Sequence, residues 1–257
     1  YLAGHLFPDT VFENSGLTGK EHASHAKPLI KRWLTWRGQF GFSEWHSNTY
    51  YVEDISPLTN LVDFATDKEI AKKAAMVLDL MTFDFANNYY KGRFATTMGR
   101  CYDSSRVGIG SRDSVGEAAW LMLGIKGAKN PGDCGDMAAN ALATSDHYAP
   151  PPILEEIYQD ARSSHEHWGR NSIYVKDGPK YGIDYTEEFL EFWYGMQAHM
   201  DPAIIDLTYD HIETYNRDPM TVSGPQELFD GLKALAALRG VSINELAEEL
   251  KIIFRGV

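Results

Sequence analysis

Two cysteines in 257 residues, Cys101 and Cys134, are too few for a disulfide framework. Either they form a single bridge or they are two buried thiols. No apolar run approaches the roughly 18–20 residues that a bilayer-crossing helix needs, so no membrane span is expected. Basic residues are scarce: 24 Lys and Arg against 36 Asp and Glu leave a formal net charge of −12. That balance argues against a nucleic-acid partner, because phosphate binding requires clustered cations. Alternating apolar and polar runs are nearly absent, and Ser172 to Lys176 is the best short strand candidate. No charged-then-apolar leader opens the chain. Its start at Tyr1 rather than Met leads us to expect a processed, trimmed or longer polypeptide, with its compartment undetermined.

Several chemistry-bearing motifs are missing as well. There is no His-Glu-x-x-His helix, no Gly-x4-Gly-Lys phosphate loop and no Gly-x-Ser-x-Gly elbow. Gly108-Ile109-Gly110 lacks the strand-then-helix setting of a dinucleotide fingerprint. His165-Glu166-His167 offers two ligand types but no third at a telling spacing, so it reads as a polar loop. Neither a metal nor a cofactor is expected.

What the chain does have is helical periodicity. Between Thr66 and Tyr89, apolar residues fall at Ile70, Ala74, Val77, Leu78, Met81, Phe85 and Tyr89, one stripe of a 3.6-residue period. Thr66 with Glu69, Ser114 with Glu117 and Ser242 with Glu245 each have capping-box spacing. Further helices are predicted around 22–40, 54–65, 133–143, 152–163, 186–199, 202–215 and 225–239. Pro202 and Pro225 suit first helical turns. The fold class is all-α, built from antiparallel helix hairpins, and the length suits one large domain or two small ones. Ala149-Pro150-Pro151-Pro152 is a stiff connector that marks the candidate seam, near 144–152, should the single helical domain divide.

Loop lengths then place the functional candidates. The Ala65-Thr66-Asp67 connection is too short for anything but antiparallel neighbours, and the same holds from His199 to Pro202. Residues 41–53 and 91–113 are long, polar and rich in Gly, Tyr, Ser and Arg; long irregular stretches of this kind tend to carry function. Two helices separate them, so in an up-down series both emerge at the same end. A third long loop, 164–185, is secondary.

The first of these segments reads Glu44-Trp45-His46-Ser47-Asn48-Thr49-Tyr50-Tyr51, followed by Val52, Glu53 and Asp54. It combines proton donors, acceptors and an amide just before a helix N-terminus, where anions are favoured. The plainer alternative is packed aromatics with Asp54 as a cap. The second reads Thr96-Thr97-Met98-Gly99-Arg100-Cys101-Tyr102-Asp103-Ser104-Ser105-Arg106. Arg100 has the planar fork that grips a carboxylate, and Tyr102 can exchange a proton. Alternatively, Arg100 pairs with Glu44 or Asp103 and only pins the loop. Asp84, Asn87 and Asn88 read as a helix C-terminal region.

Together the Glu44–Tyr51 segment and Gly99-Arg100-Cys101-Tyr102, flanked by long amphipathic helices, resemble the (α/α) toroid domains of bacterial polysaccharide lyases and related uncharacterised carbohydrate-active families. The resemblance covers residues 20–220 in segment order. It implies that Asn48 and Arg100 hold a uronate carboxylate, that Tyr51 or His46 takes the C5 proton, and that Tyr102 protonates the leaving oxygen. Glu44, Trp45, Tyr50 and Arg106 would contact the substrate. An Asn-His pair beside the first helix and a separate Tyr-x-x-x-Tyr-Gly segment, usual in such lyases, are not found, and the chain is shorter than most complete toroids of that class.

Three readings are therefore expected to compete: β-elimination on an acidic polysaccharide; glycoside hydrolysis with Glu44 as acid and Asp54 or Asp103 as base; and a non-catalytic helical scaffold or sugar-binding module within a larger protein. The expected partner is a polysaccharide or oligosaccharide. A secreted or periplasmic setting follows if it is degraded.

Overall fold

The computed structural model describes residues 1–102, 114–125, 137–160, 164, 166–215, 226–242 and 245–246. Among them the chain is mostly helical, and the one sheet has two strands. It divides into two compact units, Tyr1–Asn171 and Ser172–Val257.

The first unit comprises α1 (Leu2–Leu6), α2 (Gly19–Phe40), α3 (Tyr51–Phe64), α4 (Lys68–Asn88), strands β1 (Tyr89–Tyr90) and β2 (Arg93–Phe94), α5 (Gly116–Leu123), α6 (Met137–Thr144) and α7 (Pro152–Gln159). At its centre is α4, which packs against α2, α3, α5 and α7. The periodic stripe explains why: Ile70, Ala74, Val77, Leu78, Met81 and Phe85 are all buried. Each such large side chain removed from water contributes on the order of 1.5–3 kcal/mol. As expected from their short connection, α3 and α4 are packed neighbours. Pro152 opens α7 as its first helical residue, where its missing N–H costs nothing.

Helix starts follow local competition for orphan amides. The Ser242–Glu245 box forms in both directions, at 2.8 and 3.2 Å. The Thr66 box does not. Asp67 caps α4 by accepting the Glu69 amide at 2.9 Å, and its carboxylate is further held by Lys27 and Lys31. A charged acceptor one residue closer displaces a hydroxyl. Thr66 Oγ1 is left 3.2 Å from both the Tyr1 phenol and His5 Nε2. The Ser114 box fails too: α5 begins after Val115 with no side-chain cap, and Glu117 is buried. Thr18 and Glu21 form a reciprocal box that the sequence reading passed over.

The strand pair also corrects the sequence reading. Ser172–Lys176 is not a strand; a 3₁₀ helix covers Val175–Tyr181. The chain pairs instead at Tyr89–Tyr90 and Arg93–Phe94, around Lys91-Gly92. Both turn residues have positive φ, 49° and 75°, the backbone of a tight hairpin that glycine adopts without steric cost. Tyr89 stacks on Phe94 at 5.2 Å.

The second unit contains that 3₁₀ helix, α8 (Glu187–Gly195), α9 (Pro202–Tyr215) and α10 (Gln226–Arg239). As the short His199–Pro202 link requires, α8 and α9 pack together. Pro202 opens α9, and Asp201 Oδ1 accepts the Ala203 amide at 3.1 Å. Phe192, Trp193, Ile204 and Ile205 fill this core. The Trp193 indole donates to the Asp184 carbonyl at 3.0 Å, and Tyr185 stacks on its ring.

Candidate functional site

The hairpin at the end of α4 returns the chain toward the segment that precedes α3. There the two loops singled out in the sequence meet within the first unit. The Gly99 amide donates to the Trp45 carbonyl at 2.9 Å, and Ser47 Oγ donates to the Arg100 carbonyl at 2.9 Å. Gly99 is required by this approach, since a Cβ there would sit 2.6 Å from the Trp45 ring. Ser47 also accepts the Tyr50 amide at 3.1 Å, so one buried hydroxyl holds the residue that precedes α3 and pins the second loop. The Ser114 amide joins the same seam through the Asn48 carbonyl at 3.1 Å.

On the outer side of the seam are Glu44, Tyr50, Arg100 and Tyr102. Arg100 Nη1 donates to Glu44 Oε1 at 2.9 Å and Nη2 to the Tyr102 phenol at 3.1 Å. The guanidinium stands 4.6 Å from the centre of the Tyr50 ring, and the two phenol oxygens are 2.6 Å apart. Arg100 and Tyr102 are both nearly half exposed, at 48% and 46%. The hydrogen bonds from Tyr50 and Arg100 pull the Tyr102 phenol below its ordinary range, while Tyr50 is pushed up by the same phenol pair. Arg100 is held even more firmly protonated, by Glu44 first and Tyr102 second. The pairing of Arg100 with Glu44 is therefore real, and it is accessible to solvent.

On the inner side are His46, Asn48 and Tyr51. Tyr51 is a core residue at 1% exposure; it packs on Phe42, Phe85 and Phe94 and donates to Asp84 Oδ2 at 3.0 Å. Burial, and then the Asp84 charge, push its phenol well above the ordinary range. Asn48 is 4% exposed, and its Oδ1 lies 3.5 Å from the Cys101 thiol and 3.4 Å from the Thr49 hydroxyl. The roles that the resemblance implies for Tyr51 and Asn48 thus fall on side chains shut off from solvent. His46 is intermediate, with its side chain 12% exposed, Nδ1 3.0 Å from Thr96 Oγ1 and Nε2 3.4 Å from Asp84 Oδ1. Its backbone has φ of +49°, an uncommon state for a residue with a side chain.

Asp54 does not cap α3. It is the fourth helical residue and half-buried, and burial raises its carboxyl to about 7 against the opposing charge of Arg37. Arg37 itself is buried between the Trp33 and Phe42 rings, at 5.5 and 5.4 Å. Arg106, Asp103, Cys134, His165 and Gly108–Gly110 lie outside the described residues.

Asp84 and Thr96 are the site groups that the sequence reading missed. Asn87 and Asn88 do bond back to the carbonyls of Phe83 and Asp84 near the end of α4, at 2.8 and 2.9 Å, but the Asp84 carboxylate turns to His46 and Tyr51. The available signal was a carboxylate beside the apolar stripe, between Met81 and Phe85, where a charge needs partners. No group of three or more metal-ligating side chains occurs among the described residues, and no helix there is long and apolar enough to cross a membrane. No family model, curated protein or solved structure matches this chain.

Proposed function

We propose that the seam is the active site of a carbohydrate-active enzyme, a lyase cleaving a uronate-containing polysaccharide by β-elimination, on helix hairpins arranged as an (α/α) toroid. The observation that carries the reading is the partly exposed Glu44–Arg100–Tyr102–Tyr50 cluster. Exposed ion pairs contribute little, so a substrate carboxylate can replace Glu44 on the Arg100 fork at small cost. Neutralising that carboxylate stabilises the enolate-like intermediate. His46, more accessible than Tyr51, is the base for removal of the C5 proton. Tyr102, whose proton is loosened by Tyr50 and Arg100, gives its own to the leaving oxygen. Tyr50 and Trp45 supply ring faces for sugar contact.

The test is to incubate the protein with a panel of uronate polymers and follow the ultraviolet absorbance of the unsaturated product. Wild type should produce it, and Arg100→Ala and Tyr102→Phe should each lose roughly a hundredfold in turnover. Silence across the panel from folded protein would sink the proposal. Oligosaccharide binding without turnover would favour the sugar-binding module. One observation supports hydrolysis as a second reading, with the roles expected from the sequence exchanged: Asp54, raised to about 7 by burial and further by the Glu44 charge, is suited to be the proton donor, with Glu44 as the base. New reducing ends without an absorbance change would favour it.

A further inference from the structure

In the same seam, three groups form a chain that neither the sequence nor the resemblance assigns. Thr96 Oγ1 lies 3.0 Å from His46 Nδ1, and Asp84 Oδ1 lies 3.4 Å from His46 Nε2. A hydroxyl, an imidazole and a carboxylate in this order have the arrangement in which a base is oriented by a third group. Three elements supply them: the loop before α3, the body of α4, and the strand-exit loop after β2. The sequence separations of 50 and 38 residues mean that tertiary structure alone makes the chain.

The proton positions follow from the contacts. A lone pair on Nε2 would face a carboxylate oxygen at 3.4 Å, two electron-rich groups set against each other; a proton on Nε2 turns that contact into attraction. Nδ1 then carries the lone pair and accepts the Thr96 hydroxyl. Asp84 is itself fixed, because the Tyr51 phenol donates to its other oxygen from within the core. Phe94, 5.6 Å from the imidazole centre, covers one side of the ring. Both ring nitrogens are thus engaged: Asp84 holds Nε2, and the hydroxyl of Thr96, a partly buried residue, is the group through which Nδ1 is reached.

We infer that Asp84 is a positioning residue that fixes His46 as its Nε2–H tautomer, and that His46 accepts a proton through the hydroxyl of Thr96. The inference rests on the lyase reading for its reaction. There, the C5–H bond breaks as its proton passes to Thr96 Oγ1, and the original hydroxyl proton moves to His46 Nδ1. The freed electron pair forms the C4–C5 double bond while the C4–O bond breaks, and the leaving oxygen takes its proton from Tyr102. The imidazolium formed is stabilised by the Asp84 carboxylate. Turnover is completed when His46 gives up one proton and the Tyr102 phenolate regains one, with water as the carrier.

The experiment reads the tautomer directly, by long-range proton–nitrogen correlation on the full-length ¹⁵N-labelled protein, with His46 assigned by loss of its signals in His46→Gln. The wild type should show a protonated Nε2 and an unprotonated Nδ1. Asp84→Asn should shift the tautomer population, and Tyr51→Phe, which keeps the carboxylate but frees one of its oxygens, should shift it less. Thr96→Val should lower kcat roughly a hundredfold with KM little changed, and Thr96→Ser should restore most of it. A protonated Nδ1 in the wild type overturns the inference, as does full turnover by a folded Thr96→Val protein. If the wild type turns over no uronate polymer, the lyase reading falls, and the tautomer measurement still decides whether Asp84 orients His46.

Discussion

The outer and inner layers of the seam lie side by side but obey different physics. Outside, Glu44, Arg100, Tyr50 and Tyr102 pair with one another while remaining open to water, so each bond is weak in net terms and can be exchanged. Inside, Tyr51, Asn48 and Ser47 are cut off from water, and each broken bond would leave a buried polar group unsatisfied. The outer layer can therefore change partners, and the inner one keeps its geometry while that happens.

Substitutions should separate the layers by size of effect. Tyr51→Ala removes a core ring and should cost about 3–5 kcal/mol, read from the denaturation midpoint. A loss under about 1 kcal/mol would mean that the inner layer is not part of the core. Gly99→Ala should cost about 1–3 kcal/mol, because the new Cβ meets the Trp45 ring. It should also disturb Arg100, one residue on.

Asp54 tests the boundary through pH. Its folded carboxyl is raised to about 7 from an ordinary 3.8, so between those values the folded state binds more protons than the unfolded one. Stability from this group is present in full below about 4 and is lost as pH rises through 7. Asp54→Asn should consequently gain on the wild type as pH rises from 4 to 8. Denaturation curves that run parallel across that range would count against the buried carboxyl. The smallest change is expected outside: Arg100→Ala should leave the melting temperature essentially unmoved while lowering turnover or sugar binding. A large drop in melting temperature would make Arg100 a structural clasp.

How much of this was legible in the sequence depends on the range of each interaction. The α4 stripe was readable because a 3.6-residue period needs no tertiary information, and the two-helix separation correctly brought residues near Trp45 and Gly99 together. Caps were readable only to within a residue. Thr66 and Asp67 are adjacent candidates, and what decides between them is charge, supported by lysines some 40 positions away on α2. Two-residue strands leave no alternation to detect, so the hairpin at Lys91-Gly92 left only a weak turn signal. Asp84 was visible as a residue but not as a partner, since His46 and Thr96 reach it only after folding. The split between partly buried Tyr50 and fully buried Tyr51, neighbours in the chain, depended on which side of α3 faced the core.

The reversal at Lys91-Gly92 has a practical corollary. Because the chain turns back within two residues, and the Ala95 amide then fastens to the Asn88 carbonyl, residues 96–102 begin from a fixed origin on the end of α4. Lengthening the turn by a single residue would carry Thr96, Gly99 and Arg100 out of step with their partners all at once. Substitutions past Ala95, by contrast, would retune the rim one contact at a time.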